Sequence, residues 1–345
     1  MKLKSIKDAD VKNKIVFLRA DLDVPISNGI ISDYSRLEAW FPTLEYLVRN
    51  SAQVIIAGHL GRPKGEDKSL SLLPIANWIA GKINLKSVEI ELDGFKGWKL
   101  TENVFVLENL RFNNSEEENE DEFSKKLSKL AQIYVNDAFA SSHRAHASIV
   151  GITKYLPSFA GLHLQKEVEE LSKVLENPKR PLTIIIGGAK IETKLPLVEK
   201  MHHFADYVLV GGEIAENDKV LLKVAHEKIS GQKSALIVAD LTQNSKDITQ
   251  KSAENFVQLS KNSQTIVWNG PMGLVEEQES VKSTKILAQE LSKISAYKIV
   301  GGGDTLAYLK KLNIIDKFDF VSMGGGAMLE FLAGVKLPGL EALEY

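Results

Sequence analysis

The stretch from Thr183 to Lys194, T-I-I-I-G-G-A-K-I-E-T-K, constrains the fold more than any other part of the 345-residue chain. Its β-branched run shows no polar alternation, so the strand it forms must be buried on both faces, as in a parallel sheet covered by helices. Gly187 and Gly188 then allow a tight turn with exposed N–H groups, and Lys190 and Lys194 add positive charge beside them. That is chemistry suited to phosphate. A strand, a Gly-Gly turn and two solvated lysines also occur without any ligand, so the rest of the chain has to decide. Pro196 predicts that the next helix starts near Thr193 or Lys194, because proline is tolerated in a first turn; Lys190 would then stay on the turn.

The same grammar recurs along both halves. In the first, Ile15–Leu18, Val54–Ala57, Val104–Leu107 and Ile133–Val135 read as strands, separated by helical patterns such as Tyr34–Asn50 and Phe123–Gln132. In the second, Tyr207–Val210, Leu236–Val238, Thr265–Trp268, Tyr297–Val300 and Phe318–Ser322 do the same. Strand and helix in alternation imply parallel sheets. At this length two domains are expected, and the leucine–valine spacing between Gly161 and Asn177, closed by Pro178, reads as one long helix joining them. The fold class is therefore α/β, two doubly wound parallel-sheet domains joined by a helix, with a cleft between them. The domain reading is 1–160, a connecting helix at 161–177, and 178–334.

Open α/β sheets bind ligands beyond the carboxyl ends of their strands, and the residues there are unusual in the first half. R-A-D-L-D-V-P (Arg19–Pro25) follows one strand, with Arg36 at the next helix start. H-L-G-R-P (His59–Pro63), L-E-N-L-R-F with Arg111, and N-D-A-F-A-S-S-H-R-A-H with His143, Arg144 and His146 follow others. A surface arginine or a satisfied core histidine is the ordinary reading of any one. Recurrence at one sheet edge favours a basic pocket for a small phosphorylated acid, since arginine forks onto phosphate. The acidic run Glu116–Glu122 reads as a solvated loop leading into a helix.

In the second half, strands run into Gly211-Gly212-Glu213, N-G-P-M-G (Asn269–Gly273), G-G-G-D-T (Gly301–Thr305) and G-G-G-A (Gly324–Ala327). Glycines at helix starts leave N–H groups open at a positive dipole end, which suits an anion. None of these is a P-loop or a Rossmann fingerprint. Close helix-to-sheet packing explains one such turn and explains this many poorly. A net charge of −2 argues against general nucleic-acid or anionic-membrane binding, so any anion site is local. With no cysteine, no span-length apolar run and no apolar core near the N-terminus, the expected location is cytoplasmic.

Taken together and in order, these motifs make the chain resemble phosphoglycerate kinase along nearly its whole length. The resemblance implies a monomeric two-domain kinase of glycolysis moving a phosphoryl group between 1,3-bisphosphoglycerate and MgADP to give 3-phosphoglycerate and MgATP. It also implies that 335–345 returns to the first domain. By position, Asp21, Asp23, Arg36, His59, Arg62, Arg111 and Arg144 resemble the triose-binding set, with Arg36 and Lys190 the catalytic pair. Lys194, Glu276, Gly302, Gly303, Asp304 and Thr305 resemble the nucleotide set, and Asp304 the ligand of Mg2+. The chain departs from the family pattern at Asp23 (usually asparagine), Glu213 (glycine), Thr249-Gln250 (Gly-Pro), Val275 (phenylalanine) and Met323 (threonine), and 217–264 is short. These departures leave two alternatives open: the same kinase with altered nucleotide choice, and a non-catalytic triose-phosphate-binding protein.

Overall fold

The computed structural model describes residues 3–82, 84–189, 191–217, 221 and 234–344. The chain divides into two units, Met1–Val168 with Lys336–Tyr345, and Glu169–Val335. The sheet of the first unit runs β5-β6-β7-β4-β1-β8-β9. Its parallel part is β1 (Ile15–Ala20), β4 (Gln53–Ala57), β7 (Val104–Leu107), β8 (Ile133–Asp137) and β9 (Ser158–Ala160). A short hairpin, β2 (Ile26–Ser27) and β3 (Ile30–Ile31), stands apart from it. Helices α1 (Ser35–Arg49), α2 (Leu73–Lys82), α3 (Asp121–Lys129) and α4 (Leu162–Glu176) follow in chain order. Trp40, Leu37 and Leu47 of α1 are fully buried on the same core as Val16, Leu18, Val54 and Ile56 of the strands. The apolar stripe of the helix thus covers one face of the central strands β1 and β4, which have almost no exposed side.

One edge is not parallel. β5 (Val88–Leu92) pairs antiparallel with β6 (Phe95–Lys99), and β6 antiparallel with β7. V-E-I-E-L alternates and is largely exposed, so it needs a partner on one side only. Asp93 and Gly94, at φ 46 and 82, supply the two left-handed residues of a tight hairpin turn.

The sheet of the second unit, ordered β12-β11-β10-β13-β14-β15, is parallel throughout. Its strands are β10 (Leu182–Ile186), β11 (Tyr207–Val210), β12 (Ala235–Val238), β13 (Thr265–Asn269), β14 (Tyr297–Gly301) and β15 (Phe320–Ser322). The helices are α5 (Ile191–His202), α6 (Gln250–Ser260), α7 (Lys282–Leu291), α8 (Gly303–Lys311) and α9 (Gly326–Leu332). The run at 183–186 is buried at every position, as its lack of alternation predicts. Thr249, where the family favours glycine, caps α6 by accepting from Ser252 N at 3.2 Å.

The strand order reverses direction beside β1 in the first sheet and beside β10 in the second. At such a switch point neighbouring crossovers leave in opposite directions and open a crevice at the carboxyl ends. R-A-D-L-D-V-P follows β1, and the Gly-Gly turn follows β10. The segment Lys336–Tyr345 belongs to the first unit, where helix α10 (Pro338–Glu341) packs against the end of β8; Gly339 N donates to Ser142 O at 2.8 Å.

Helix α4 starts on buried acceptors. Leu164 N donates to Asp137 Oδ1 at 2.8 Å and Leu162 N to Thr43 Oγ1 at 3.0 Å, which satisfies two orphan amides of its first turn. Burial pushes the Asp137 carboxyl up to about 7. A raised folded value means the folded state holds the proton more tightly, so the stability Asp137 contributes is present below about pH 4 and lost as pH rises through about 7. That loss amounts to up to about 4 kcal/mol. Asp137→Asn therefore gains Tm relative to the parent between about pH 5 and about pH 8. An unchanged difference at the two pH values would show that Asp137 does not titrate in this way.

Candidate functional site

Two separate sites form, one in each unit, and both lie at the switch points. In the first unit the site is built on Arg19, the penultimate residue of β1, whose side chain is fully buried. Arg19 Nε donates to Ser148 Oγ at 2.8 Å, Nη1 to Ala20 O at 2.6 Å, and Nη2 to His59 Nδ1 at 3.0 Å. A guanidinium only donates, so His59 Nδ1 must accept and the neutral ring carries its proton on Nε2. Burial first, then Arg19, Arg111 and Arg144, hold His59 well below the usual imidazole value. The same causes bring His146 to about 3, and burial with Arg144 brings His143 to about 4. All three imidazoles are neutral at pH 7, and the positive charge of the site comes from arginine.

Arg111, buried after β7, donates from Nη1 to Gly61 O at 2.7 Å, and its Nε lies 3.1 Å from Glu117 Oε1. Its Nη2 has no hydrogen-bond partner among the described residues, a buried donor left for a ligand. Burial lowers the guanidinium to about 10 despite Glu117, and it stays charged at neutral pH. Arg144 lies with its Nη1 3.9 Å from the same Glu117 oxygen. Arg36, in the first turn of α1, donates to Asp23 O, and Arg62 is exposed.

Asp21 is buried, with Ala140 N at 3.0 Å and Ser141 Oγ at 3.1 Å donating to its two oxygens. Asp23 Oδ1 accepts from Gly61 N at 3.0 Å, and its Oδ2 is 3.9 Å from both His59 Nε2 and Arg36 Nη1. The carboxylate that replaces the family's asparagine is thus occupied by protein donors and cations, which reduces the repulsion expected against an anionic ligand.

The acidic run is not the solvated loop its composition suggests. Glu116 is fully buried, with both oxygens accepting from Ser148, and Glu117 faces Arg111 and Arg144. Two of its carboxylates are counter-charges to the arginines. Arg19 was also missed as a site residue, although it opens the R-A-D-L-D-V-P motif; a buried arginine on a strand was the available signal.

In the second unit β10 and β13 are parallel neighbours, and the turns that follow them approach closely. Gly187 N donates to Asn269 O at 2.9 Å and Gly188 N to Pro271 O at 2.6 Å. A Cβ on Gly187 would stand 2.2 Å from Pro271 O, and one on Gly270 2.2 Å from Gly187 O, so only glycine permits this approach. Lys194 Nζ donates to Gly187 O at 2.5 Å. Helix α5 begins at Ile191 with Pro196 inside it, earlier than the proline rule predicts. Proline there forfeits a single intrahelical bond just past the first turn. Lys190, expected on the turn, lies outside the described residues.

Gly302 caps α8 with φ 94 and Gly325 caps α9 with φ 53, conformations that favour glycine and leave open N–H groups at both helix starts. Lys194, Asn269, Gly302, Gly303, Asp304, Thr305 and Gly325 line one cavity. Gly212, Glu213, Lys246, Leu274, Val275, Glu276 and again Asp304 line a second that adjoins it. Thr305 Oγ1 is buried without a hydrogen-bond partner among the described residues. The first cavity offers the Lys194 ammonium and N–H groups for phosphates, and the second offers Leu274 and Val275 as an apolar wall beside the carboxylates of Glu213 and Glu276. No described group of three or more His, Cys, Asp or Glu residues could hold a metal by itself. A single carboxylate beside a phosphate cradle fits Mg2+, which binds through one or two carboxylates plus substrate phosphates.

The family model described as phosphoglycerate kinase matches residues 6–241 and 217–335. A phosphoglycerate kinase of Finegoldia magna is 40% identical over 395 aligned positions covering 100% of both chains. One of Coprothermobacter proteolyticus is 36% identical over 99% of both. Among solved structures, phosphoglycerate kinase from Coxiella burnetii superposes with a TM-score of 0.81 at 34% identity, covering 99% of both chains. The Pyrococcus horikoshii OT3 enzyme gives 0.83 at 30% identity over 99% of this chain and 98% of that one. An alignment of 395 positions leaves at least 50 without a residue of this 345-residue chain, in keeping with the short 217–264 segment.

Proposed function

We propose that this chain, which belongs to the phosphoglycerate kinase family, carries out the family's reaction with the two sites described above. It transfers a phosphoryl group between 1,3-bisphosphoglycerate and ADP to give 3-phosphoglycerate and ATP, a step of glycolysis. The first unit takes the triose. His59, Arg62, Arg111 and Arg144 meet its phosphate, the buried Arg19 holds His59 in place, and Asp21 and Asp23 order the loops around it. The second unit takes the nucleotide, with Lys194, Gly302, Gly303 and Thr305 on the phosphates and Glu276 at the ribose. Asp304 would hold Mg2+, which supplies charge neutralisation at the phosphate oxygens when bound. The observation that carries the reading is the gathering of Arg19, Arg111 and Arg144 around the buried His59 and His146 at the ends of β1, β4, β7 and β8.

In the ATP-consuming direction the nucleophile is the substrate's own carboxylate, already ionised at neutral pH, so no general base is required. Catalysis reduces to in-line placement and to neutralising the equatorial oxygens of the group in transfer. Arg36 does this from the triose side; Lys190 and Lys194 do it from the nucleotide side. The reading includes action as a cytoplasmic monomer, and light scattering at assay concentration checks the second point. No described helix is long and apolar enough to cross a membrane.

A coupled assay tests the whole: ATP consumption should depend on both 3-phosphoglycerate and Mg2+. His59→Ala should raise the KM for 3-phosphoglycerate by about tenfold, the worth of a hydrogen bond to a charged group, with the KM for MgATP unchanged. Absence of 3-phosphoglycerate-dependent turnover would defeat the proposal.

A further inference from the structure

Glu116 stands out among the buried groups that the reaction does not use. It closes a short 3-10 turn, Asn114–Glu116, and no part of it is exposed. A buried carboxylate costs several kcal/mol unless its surroundings repay it. Pinning a loop does not require that cost, because a neutral side chain could accept the same hydrogen bonds. The charge therefore calls for an explanation of its own.

The bonds around it form one directed chain. Ser148 N donates to Glu116 Oε2 at 2.9 Å, and Ser148 Oγ donates to Glu116 Oε1 at 2.5 Å. Having given its only proton to the carboxylate, Ser148 Oγ is left as an acceptor, and Arg19 Nε donates to it at 2.8 Å. Arg19 Nη2 in turn donates to His59 Nδ1 at 3.0 Å. Arginine and a backbone N–H can only donate, which fixes the two outer bonds, and with Ser148 Oγ donating to Oε1 both carboxylate oxygens accept, as the ionised form does. Arg19, Ser148 and Glu116 are all fully buried, so water does not compete for these partners. Burial raises the Glu116 carboxyl, while Arg19, Ser148 and Arg111 act in the opposite direction.

We propose that Glu116 is a positioning residue for triose binding: acting through Ser148, it orients Arg19, and Arg19 fixes His59 as an Nε2–H donor aimed at the anionic substrate. The inference rests on the reading of His59 as a triose-phosphate donor and adds the origin of its tautomer. Without an ionised Glu116, the Ser148 hydroxyl is free to turn its proton toward Arg19, the guanidinium loses its acceptor, and His59 Nδ1 loses the donor that keeps it unprotonated. Asp23 Oδ2, 3.9 Å from His59 Nε2, lies on the proton-bearing side and is consistent with that tautomer.

Glu116→Gln separates charge from shape, since an amide fills the same space but presents a donor to Ser148 Oγ. Imidazole 15N NMR of the full chain should show His59 in the Nε2–H form in the parent and in a mixture of tautomers in Glu116→Gln. The KM for 3-phosphoglycerate should rise by about tenfold, one hydrogen bond to a charged group, with the KM for MgATP and kcat within about threefold. Glu116→Asp, which restores the charge, should recover part of the loss. If Glu116→Gln does not fold, Ser148→Ala breaks the same chain one link on and should give the same NMR and KM changes. An unchanged His59 tautomer in a folded Glu116→Gln or Ser148→Ala variant overturns the proposal even where His59→Ala raises the KM. If His59→Ala leaves that KM unchanged, the triose reading fails, and this inference fails with it.

Discussion

Arg36→Ala should lower turnover by at least about 10²-fold while the protein remains folded. Removing a transition-state arginine costs roughly 10³–10⁵ in rate in related phosphoryl transfers, because the guanidinium meets charge that spreads over the equatorial oxygens only as the bond breaks. The structure gives little reason for an accompanying loss of stability. Arg36 sits in the first turn of α1 with its side chain 29% exposed, bonded to the Asp23 carbonyl and 3.9 Å from the Asp23 carboxylate. A half-exposed pair of that kind is worth about 0–1 kcal/mol. Arg36→Lys keeps the charge but not the planar fork, so it should recover only part of the rate. The measurements are kcat in the coupled assay and Tm on the same preparations. A kcat near that of the parent at unchanged Tm would remove Arg36 from the mechanism.

Arg111 offers a contrast that separates catalysis from architecture. Its side chain is buried and bonded to Gly61 O, so Arg111→Ala removes packing and an internal hydrogen bond as well as a contact to the ligand, while Glu117 keeps Arg144 beside it. Its expected signature is a raised KM for 3-phosphoglycerate together with a lower Tm. The pairing of the two readouts distinguishes it from Arg36.

Much of the fold was readable because burial leaves a one-dimensional trace. T-I-I-I has no polar side and forms a strand with no exposed side, and T-I-V-W-N behaves alike, whereas the edge strand A-L-I-V is only half-buried. Glycine turns were readable for a related reason, since the close approach of Gly187 and Gly270 excludes any Cβ and therefore fixes residue type. The edge hairpin β5–β6 was missed although L-D-G-F carries a hairpin turn, because an exposed alternating strand has little apolar content to mark it. The start of α5 was misplaced because the proline rule weighs one lost hydrogen bond and not the packing of the rest of the helix.

The inward turn of Glu116 could not be read from its neighbours. Its partner Ser148 is 32 residues away, and the sequence E-E-E-N-E-D-E gives no sign that one of its acids is buried. Charge density along the chain predicts solvation only on average, and a basic pocket assembled from four strand ends reverses that average locally. Arg19 was hidden in the same way. Its role depends on the loop that carries Ser148 returning over the end of β1, which is a property of the tertiary fold. The carboxylates that tune the site were thus less legible than the arginines they serve, since the arginines sit in local motifs and their counter-charges do not.

Asp304→Ala should reduce MgATP-dependent turnover by at least about 10²-fold, since a metal's stabilisation of phosphoryl charge is worth several kcal/mol. Asp304 is the second residue of α8, beyond a glycine held at φ 94, and it lines both cavities of the second unit. Glu213, Glu276 and Glu330 each line only one of the two. A metal held together with the nucleotide's phosphates would need a carboxylate within reach, and phosphates seated on the open N–H groups at the start of α8 would lie beside Asp304. The cost to folding is small, because an acidic residue in a first turn contributes about 0.3–1 kcal/mol through the helix dipole. Calorimetric titration with ATP isolates the role: the parent should bind ATP more tightly with Mg2+ than without it, and Asp304→Ala should bind it about equally in both. Binding of 3-phosphoglycerate should not change, because its site lies in the other unit. If Mg2+ still tightens ATP binding to Asp304→Ala as much as to the parent, the metal is held elsewhere and the assignment of Asp304 fails.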